Sequence, residues 1–542
     1  MGLTRDKKYV DMKRKQMDIY VCTKKFEQWF SKQPRLAFFS ALLIGFVTHY
    51  WFLVNLFMSP DGIVYSVLYS AGDFEISVGR WGIDLIDSIR ANRSVSSVSS
   101  IGCLFLAAFG CALLTDVLQL KKRVSVILTS AAIMVSPALT LTLLYEYCSD
   151  AYLCGFFLSV LSVFCVHRMK HNAMGIGMSA VCLCGALSIY QNYIGVMIGC
   201  CLIILIKELF NKQLLIADII RDGIKRLAAI AAGGILYYGM TRAICAIKGI
   251  APSTYNGAAS INMLSVLSFL GTSSIESIRK IKHFFLHDTY VFNIKWYRDR
   301  MCMIFFAILI LCIVALVMQK QLYRDKVRIL LMLLCLGLLP LGLNAVFIIA
   351  PDSELYALNS MQLMLVFPLL FCLAEEFELG TYICMKWSGL AVSAAILFTY
   401  YTAANYSYSY LELSYNQARA EADKIVDRMQ STVGYERGMP CAIAGILTDE
   451  YFPRDRAYRG YTICNIVEGP IFHGNYAGSR ESWKKFCLIY QGEDLNFCDP
   501  VRYQEIVESE EFKEIGVFPA ESSVKIIQNV VVAKLMEEVP VL

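Results

Sequence analysis

The 542-residue chain reads as an all-α polytopic membrane protein of about eleven transmembrane helices, with a small α/β domain outside the membrane at its C-terminal end. Three observations predict this. Hydrophobic residues make up 57% of the chain and charged residues 18%, too little charge to cover the surface of a soluble protein of this length; the mean hydropathy is +0.51. The apolar residues fall in uncharged blocks at 36–60, 94–115, 124–145, 172–206, 301–319, 329–351, 355–374 and 387–411, most of them longer than the roughly 18–20 residues that cross a bilayer. Finally, the net charge of +5 conceals an asymmetry: from Asn405 onward 14 Lys+Arg face 21 Asp+Glu, so that segment is near −7 and the remainder near +12. A soluble enzyme, a nucleic-acid binder and a disordered scaffold are excluded.

The elements follow in order. Residues 1–35 hold ten Lys+Arg and four acids and read as a basic cytoplasmic segment. No cleavable signal peptide is expected, because Leu36–Met58 is too long for a signal core and has no small-residue cleavage site. The spans are expected near 36–57, 97–118, 124–145, 151–167, 174–190, 193–209, 227–247, 301–319, 329–350, 359–374 and 387–405. The run 172–206 is divided in two because a single helix would be about 50 Å long. Its natural break is Tyr190-Gln191-Asn192-Tyr193, two interfacial aromatics around two polar side chains.

Basic residues in short loops set the orientation. Lys121-Lys122-Arg123, the Arg168–His171 turn, the stretch 207–226 and Lys320–Arg328 fall on the side of the basic N-terminal segment if eleven spans alternate. Loops with Asp61, Glu146, Asp150, Asp352 and Glu354 fall on the other. The 375–386 loop, with Glu375, Glu376 and Glu378, runs against the pattern, but acids weigh little in the rule. The N-terminus is therefore expected in the cytoplasm and the C-terminal segment outside.

The chain thus divides into 1–35, a membrane domain 36–405 and a soluble domain 406–542. The first outer loop, 59–93, contains Trp81–Arg90, whose apolar residues recur at helical spacing between acids; a helix lying along the membrane surface is expected. The outer loop 248–300 has an apolar helix-like stretch, Ile261–Leu270, followed by Arg279, Lys280, Lys282 and His283. The soluble domain opens with a polar helix, Tyr415–Met429, and continues with β-like runs such as Cys441–Leu447 and Val524–Val532. Of the 20 cysteines, sixteen lie in or near spans or in the basic tail without zinc-ligand spacing, where Cys is a small packing residue. Cys441, Cys464, Cys487 and Cys498 lie in the outer domain, where one or two disulfides are open to them; the pairing is not set by the sequence.

Charges at the junction of a span and an outer loop are costly near hydrocarbon and need a reason. Asp61, in Ser59-Pro60-Asp61-Gly62, follows the first span; the plain reading is a helix-terminating turn. In Tyr145-Glu146-Tyr147-Cys148-Ser149-Asp150 the loop is so short that both acids sit at membrane level; Asp150 suits an N-cap, whereas Glu146 has no such role. Gly79-Arg80-Trp81 sets a cation beside an interfacial aromatic, which fits either a snorkelling Arg with an anchoring Trp or a phosphate ligand. The Arg279–His283 cluster has the same two readings, headgroup contact or phosphate ligand.

These features resemble the bacterial O-antigen glucosyltransferase membrane family of the serotype-conversion type, which looks like part of the GT-C glycosyltransferase class. The likeness rests on Asp61-Gly62, Gly79-Arg80-Trp81, the second acidic site, Tyr190-Gln191 and the outer C-terminal domain. It implies a GT-C-like fold and an inverting transfer of a sugar, glucose in that family, from a polyprenyl-phosphate carrier to a cell-surface polysaccharide. That reaction takes place at the outer face of a bacterial cytoplasmic membrane. It further implies that Asp61 is the general base, that Glu146 or Asp150 is a second acid orienting acceptor or base, and that Arg80 with Arg279, Lys280, Lys282 and His283 holds the carrier phosphate. Trp81, Tyr190 and Gln191 would contact substrate. The chemistry suits such residues: a carboxylate suffices to deprotonate an acceptor hydroxyl, and cations offset the charge gathering on a leaving phosphate. Some GT-C enzymes use a divalent metal, and that alternative stays open; no Asp-x-Asp pair occurs in the first loop, where Asp73-Phe74-Glu75 comes nearest, so a metal is not indicated and no other cofactor is expected. The partners are then the lipid-linked donor, the polysaccharide acceptor and the bilayer, with no nucleic acid. A transporter or flippase of lipid-linked oligosaccharide is the main rival, although the inverted repeats common in transporters are not visible; a non-catalytic scaffold would leave Asp61, Glu146 and Arg80 unexplained.

Overall fold

The computed structural model describes residues 27–30, 32–55, 58–65, 69–93, 96–169, 171–253, 263–286, 297–349, 353–377, 383–445, 463 and 476–539. Nine helices among them are long and apolar enough to cross a membrane: Gln33–Asn55, Ser99–Val117, Ser149–Arg168, Asn172–Ile189, Gln191–Phe210, Ile216–Lys248, Arg298–Gln319, Lys326–Leu343 and Ile383–Gln430. The chain is a polytopic α-helical membrane protein. The two remaining expected spans are present in altered form. The third is a pair of helices, Arg123–Met134 and Pro137–Leu144, bent by 41°. Pro137 has no N–H to give the preceding turn, and Ser136 restarts the helix by accepting a hydrogen bond from the Leu139 N–H at 3.1 Å. The tenth begins as two 3-10 turns, Ala357–Asn359 and Met361–Leu365, and only then becomes the short helix Val366–Glu375.

Two helices outrun their apolar cores. Ile216–Lys248 starts well before the hydrophobic run because Asp218, Arg221, Asp222 and Lys225 are compatible with a helix though not with lipid; it stops at Gly249, whose φ of 69° is the left-handed conformation usual after a helix end. Ile383–Gln430 continues without a break where two helices were expected, 387–405 and Tyr415–Met429. Residues 390–433 contain neither Gly nor Pro, so nothing stops the helix where it leaves the apolar region. At about 72 Å it is more than twice the thickness of a hydrocarbon core.

The loops gather on two faces. On the basic face, the backbone N–H groups of Lys121 and Lys122 both donate to Glu375 at 2.8 Å, and Lys320 pairs with Glu376. Glu375 and Glu376, two of the acids that ran against the charge rule, are thus partners of the basic loops. Arg168 pairs with Asp116 at 2.9 Å, Lys207 donates to the carbonyls of Leu118 and Gln119, and Arg328 to those of Leu209, Asn211 and Leu214. These cations satisfy carbonyls that helix ends leave open.

The first loop, the 145–150 turn, the 190–193 break and residues 353–360 meet on the opposite face, together with the C-terminal part of the chain. There Tyr415 binds Met58, the Ile463 N–H donates to Ser407 at 2.8 Å, and helix Tyr476–Tyr490 packs on helix Pro60–Val64. Beyond the long helix lie three strands, β1 (Cys441–Ala444), β2 (Val524–Ile527) and β3 (Val530–Lys534), ordered β1-β3-β2. β1 runs parallel and β2 antiparallel to β3. The expected single run Val524–Val532 is a hairpin, turning at Gln528 and Asn529 with φ of 49° and 62°. Trp483, Phe486, Tyr503 and Phe512 are buried around the sheet. Cys441, Cys487 and Cys498 are buried and free; Cys464 lies outside the described residues, as do Asp352 and Glu378.

Candidate active site

Asp61 opens a helix where the sequence suggested the end of one. Ser59 caps helix Pro60–Val64 by accepting from the Gly62 N–H at 3.1 Å, Pro60 fills the first position where no N–H is needed, and Asp61 sits in the first turn, where the helix dipole favours a carboxylate. The segment is pinned on both sides. The Ser59 N–H and hydroxyl both donate to the Leu144 carbonyl, at 3.1 and 3.2 Å. The Tyr415 hydroxyl accepts from the Met58 N–H at 3.0 Å and donates to the Met58 carbonyl at 2.8 Å. A Cβ at Gly62 would lie 2.9 Å from the Leu144 oxygen, so only glycine allows this approach. Asp61 itself is half-buried, and that burial raises its pKa above the ordinary value.

The Gly-Arg-Trp and Tyr-Gln elements come together. The Gln191 amide donates to the Val78 carbonyl at 2.7 Å and to the Tyr237 hydroxyl at 2.8 Å. A Cβ on Gly79, whose φ is 82°, would come within 2.2 Å of that same hydroxyl. The Trp81 indole donates to Thr241 at 3.1 Å, and the Arg80 guanidinium lies 5.1 Å above the Tyr190 ring. Gln191 and Trp81 are therefore engaged in docking the loop onto helix Ile216–Lys248. The Tyr190 hydroxyl in turn reaches Tyr356 at 3.4 Å.

The two acids of the second loop face different neighbours. Asp150 lies in the first turn of helix Ser149–Arg168, whose N-cap is Cys148, and pairs with Arg90 at 3.1 Å. Glu146 is buried and within electrostatic reach of Tyr415 and Tyr490, towards the C-terminal helices. Arg90 also binds Asp87 and the Tyr147 carbonyl, so one guanidinium ties the first loop to the second. Asp87 is fully buried and accepts from the Ala71 N–H at 2.9 Å; burial pushes its pKa up to about 6 despite Arg90 and that hydrogen bond. The expected surface helix is present as Trp81–Ile89: Leu85 and Ile89 point outward, 61% and 79% exposed, and Ile83 and Asp87 inward.

Asp87 and Arg90 were not singled out in the sequence; their only signal was an acid and a base three residues apart. Nor were Tyr65, Tyr69, Tyr145 and Tyr147, whose rings cluster beside Asp61 with Tyr147 4.6–6.0 Å from the other three. Asp61 is within electrostatic reach of Tyr147, while Asp87, Asp150 and Arg80 all reach Cys148. The candidate base and the candidate phosphate ligand are thus each within electrostatic reach of one of two adjacent residues, Tyr147 and Cys148.

The expected basic patch at 279–283 is dispersed. Successive helical residues point about 100° apart, and the four side chains part accordingly. Arg279 pairs with Glu276 on the same helix, Lys282 is exposed and His283 is half-buried. Lys280 turns to the Ser353 carbonyl at 2.8 Å with its ammonium 3.4 Å over the Phe347 ring, and burial lowers its pKa to about 8. Ser353 leads within three residues to Tyr356, which touches the ring beneath Arg80. Their helix, Met263–Leu286, packs into the bundle: Phe285 stacks edge-on against Phe306 at 5.2 Å, and Asn344 donates to the Ser277 carbonyl. Among the described residues no three His, Cys, Asp or Glu side chains are grouped to hold a metal ion.

A family model described as "Glucosyl transferase GtrII" matches residues 50–373, which contain every one of these candidate site residues. No curated protein and no solved structure matches the chain.

Proposed function

The chain belongs to the GtrII glucosyl transferase family, and from that premise we propose that it moves glucose from a polyprenyl-phosphate carrier to a cell-surface polysaccharide. It is a multi-pass membrane glucosyltransferase; donor, acceptor and mechanism are the proposal. An acceptor hydroxyl attacks the anomeric carbon as the bond from that carbon to the carrier phosphate breaks. Asp61 takes the hydroxyl proton, the carrier leaves as polyprenyl phosphate, and the single displacement inverts the anomeric centre. Arg80, with Lys280 joined to it through residues 353–356, offsets the charge on the leaving phosphate. Arg279, Lys282 and His283 are left with headgroup contacts at most.

One observation carries the reading: Asp61 lies within electrostatic reach of Tyr147 and Arg80 within reach of the adjacent Cys148, on the face where the non-basic loops meet. Burial makes Asp61 a stronger base than an exposed aspartate. With Asp150 committed to Arg90, Glu146 is assigned the second acidic role, orienting the acceptor from the side of Tyr415 and Tyr490. The gathering of basic loops on the opposite face supports a cytoplasmic N-terminus, with transfer on the outer side of a bacterial cytoplasmic membrane. The test is transfer of labelled glucose from synthetic polyprenyl-phosphate glucose by the purified protein beside its Asp61→Asn variant. Transfer by the wild type alone is expected; equal turnover by both would remove Asp61 from the mechanism.

A further inference from the structure

The C-terminal part of the chain holds a cavity of about 310 Å³ that the transfer chemistry does not use. Its walls come from the far end of helix Ile383–Gln430, the turn that follows, the start of β1 and the 492–496 turn. The polar and aromatic lining consists of Gln430, Tyr435, Arg437, Glu493, Asp494 and Asn496. A volume at the lower end of the roughly 300–1,000 Å³ usual for small-molecule sites holds one or two sugar rings. The lining suits them. Carboxylates and amides accept from or donate to neighbouring hydroxyls, and the face of a tyrosine ring matches the C–H face of a pyranose. Two carboxylates against one guanidinium give no attraction for a phosphate, which separates this cavity from the Arg80 region.

Both walls are tied to the first loop by rigid elements. The helix that supplies Gln430 supplies Tyr415, whose hydroxyl holds Met58 just before Asp61. Along its axis the two residues are about 22 Å apart. Helix Tyr476–Tyr490 packs on the Asp61 helix and leads on into Glu493 and Asp494. Tyr490 stacks edge-on against Tyr415 at 5.5 Å, and Gln491, just past the helix end, donates to Asp423 at 2.8 Å, so the two helices are joined side by side. The cavity is therefore held a few sugar units from the candidate base, on the same face of the membrane.

We propose that this cavity is a subsite for the non-reacting part of the acceptor, and that it makes the enzyme select a glycan polymer over a single repeat unit. The proposal rests on the glucosyltransferase reading for the identity of its ligand. Binding a remote segment of the acceptor equally in the ground and transition states lowers KM for the polymer, an affinity that a single repeat unit cannot supply.

The test uses the full chain in nanodiscs, with Asp61→Asn present so that binding is read without turnover. The probes are single-repeat and multi-repeat fragments hydrolysed from the surface polysaccharide of the bacterium that expresses the chain. Isothermal titration should show the multi-repeat fragment binding more tightly. Tyr435→Ala, and separately Asp494→Asn, should weaken that fragment about tenfold and leave the single repeat unchanged, a tenfold change being readily resolved. Asp494 is exposed, so its variant keeps the fold intact whatever Tyr435→Ala does to its turn. In the active chain the same substitutions should raise KM for the multi-repeat acceptor with kcat and donor KM unchanged. Equal affinity for the two fragments, or unchanged affinity in both variants, would overturn the subsite. Cavity-dependent binding together with no glucose transfer by the wild-type chain would keep the subsite and reject the donor chemistry instead.

Discussion

The two polar faces of the molecule use the same residue types for different ends. On the basic face each named cation is absorbed locally: Lys207 and Arg328 by open carbonyls at helix ends, Lys320 by Glu376, Arg168 by Asp116. On the first-loop face the charges converge instead. Asp87, Asp150 and Arg80 lie within electrostatic reach of Cys148 and Asp61 within that of Tyr147, beside the clustered rings of Tyr65, Tyr69, Tyr145 and Tyr147. Satisfied helix ends make a stable wall. Carboxylates and cations gathered beside an aromatic cluster, with Asp87 and Asp150 joined through Arg90, make a setting in which perturbed groups are expected.

Substituting one aspartate on each face should separate the two most sharply. Asp61→Asn should lower glucose transfer by roughly 10²–10⁴-fold, the usual worth of general-base catalysis. Asp116→Asn, which removes the partner of Arg168, should leave turnover within about twofold, since an exposed ion pair contributes at most about 1 kcal/mol. Comparable losses at the two sites would erase the distinction between the faces. Next in size is Arg90→Ala. It leaves the fully buried Asp87 without its counter-charge and frees the second loop from the first. A loss of about 3 kcal/mol is expected, at the lower end for a broken buried pair because Asp87 takes up a proton in compensation. Thermal unfolding in nanodiscs would measure it, and an unchanged midpoint would show that the clamp does not hold the loops. Arg80→Ala should act on substrate rather than on the fold, raising donor KM by about tenfold at constant midpoint; a lowered midpoint with unaltered donor KM would mark Arg80 as a loop anchor over Tyr190.

What the sequence revealed and what it concealed also divides by face. Uncharged blocks located the spans, and Tyr190-Gln191 located the break, because hydropathy and turn chemistry are local signals. The bend at Ser136-Pro137 was equally local and was masked by the apolar run around it. The length of Ile383–Gln430 was obscured for the opposite reason: its polar half looked like a separate helix although no residue interrupts it. Charge counting put the basic loops together but could not assign Glu375 and Glu376 to the backbone of Lys121 and the side chain of Lys320, which are far away in sequence. At the site, Asp61 and Arg80 stood out by position. Asp87 and Arg90 did not, because in a linear view they are ordinary members of an amphipathic helix, and only the fold brings Tyr147 and Asp150 to them. The Arg279–His283 run misled in the reverse direction, since a cluster in sequence is spread around a helix in space.

The smallest expected effect, and the most diagnostic, is the pH dependence of the two first-loop aspartates. Asp61 must be ionised to accept a proton, so transfer should rise with pH as Asp61 loses its own. Because burial raises its pKa, the midpoint of that rise should lie above the value of about 3.9 for an unperturbed aspartate. Asp87 works with the opposite sign. Its folded-state pKa, about 6, exceeds that of the unfolded chain, so its contribution to stability is complete below about pH 4 and is lost as pH rises through about 6. Across this window activity should climb while the part of the stability due to Asp87 declines. An acid limb caused by unfolding would make the two fall together as pH drops. Transfer rates and unfolding midpoints measured side by side between pH 4 and 7 therefore distinguish a catalytic limb from a structural one. In Asp87→Asn the activity limb should persist while the stability change flattens; disappearance of the activity limb in that variant would move the titrating group from Asp61 to Asp87.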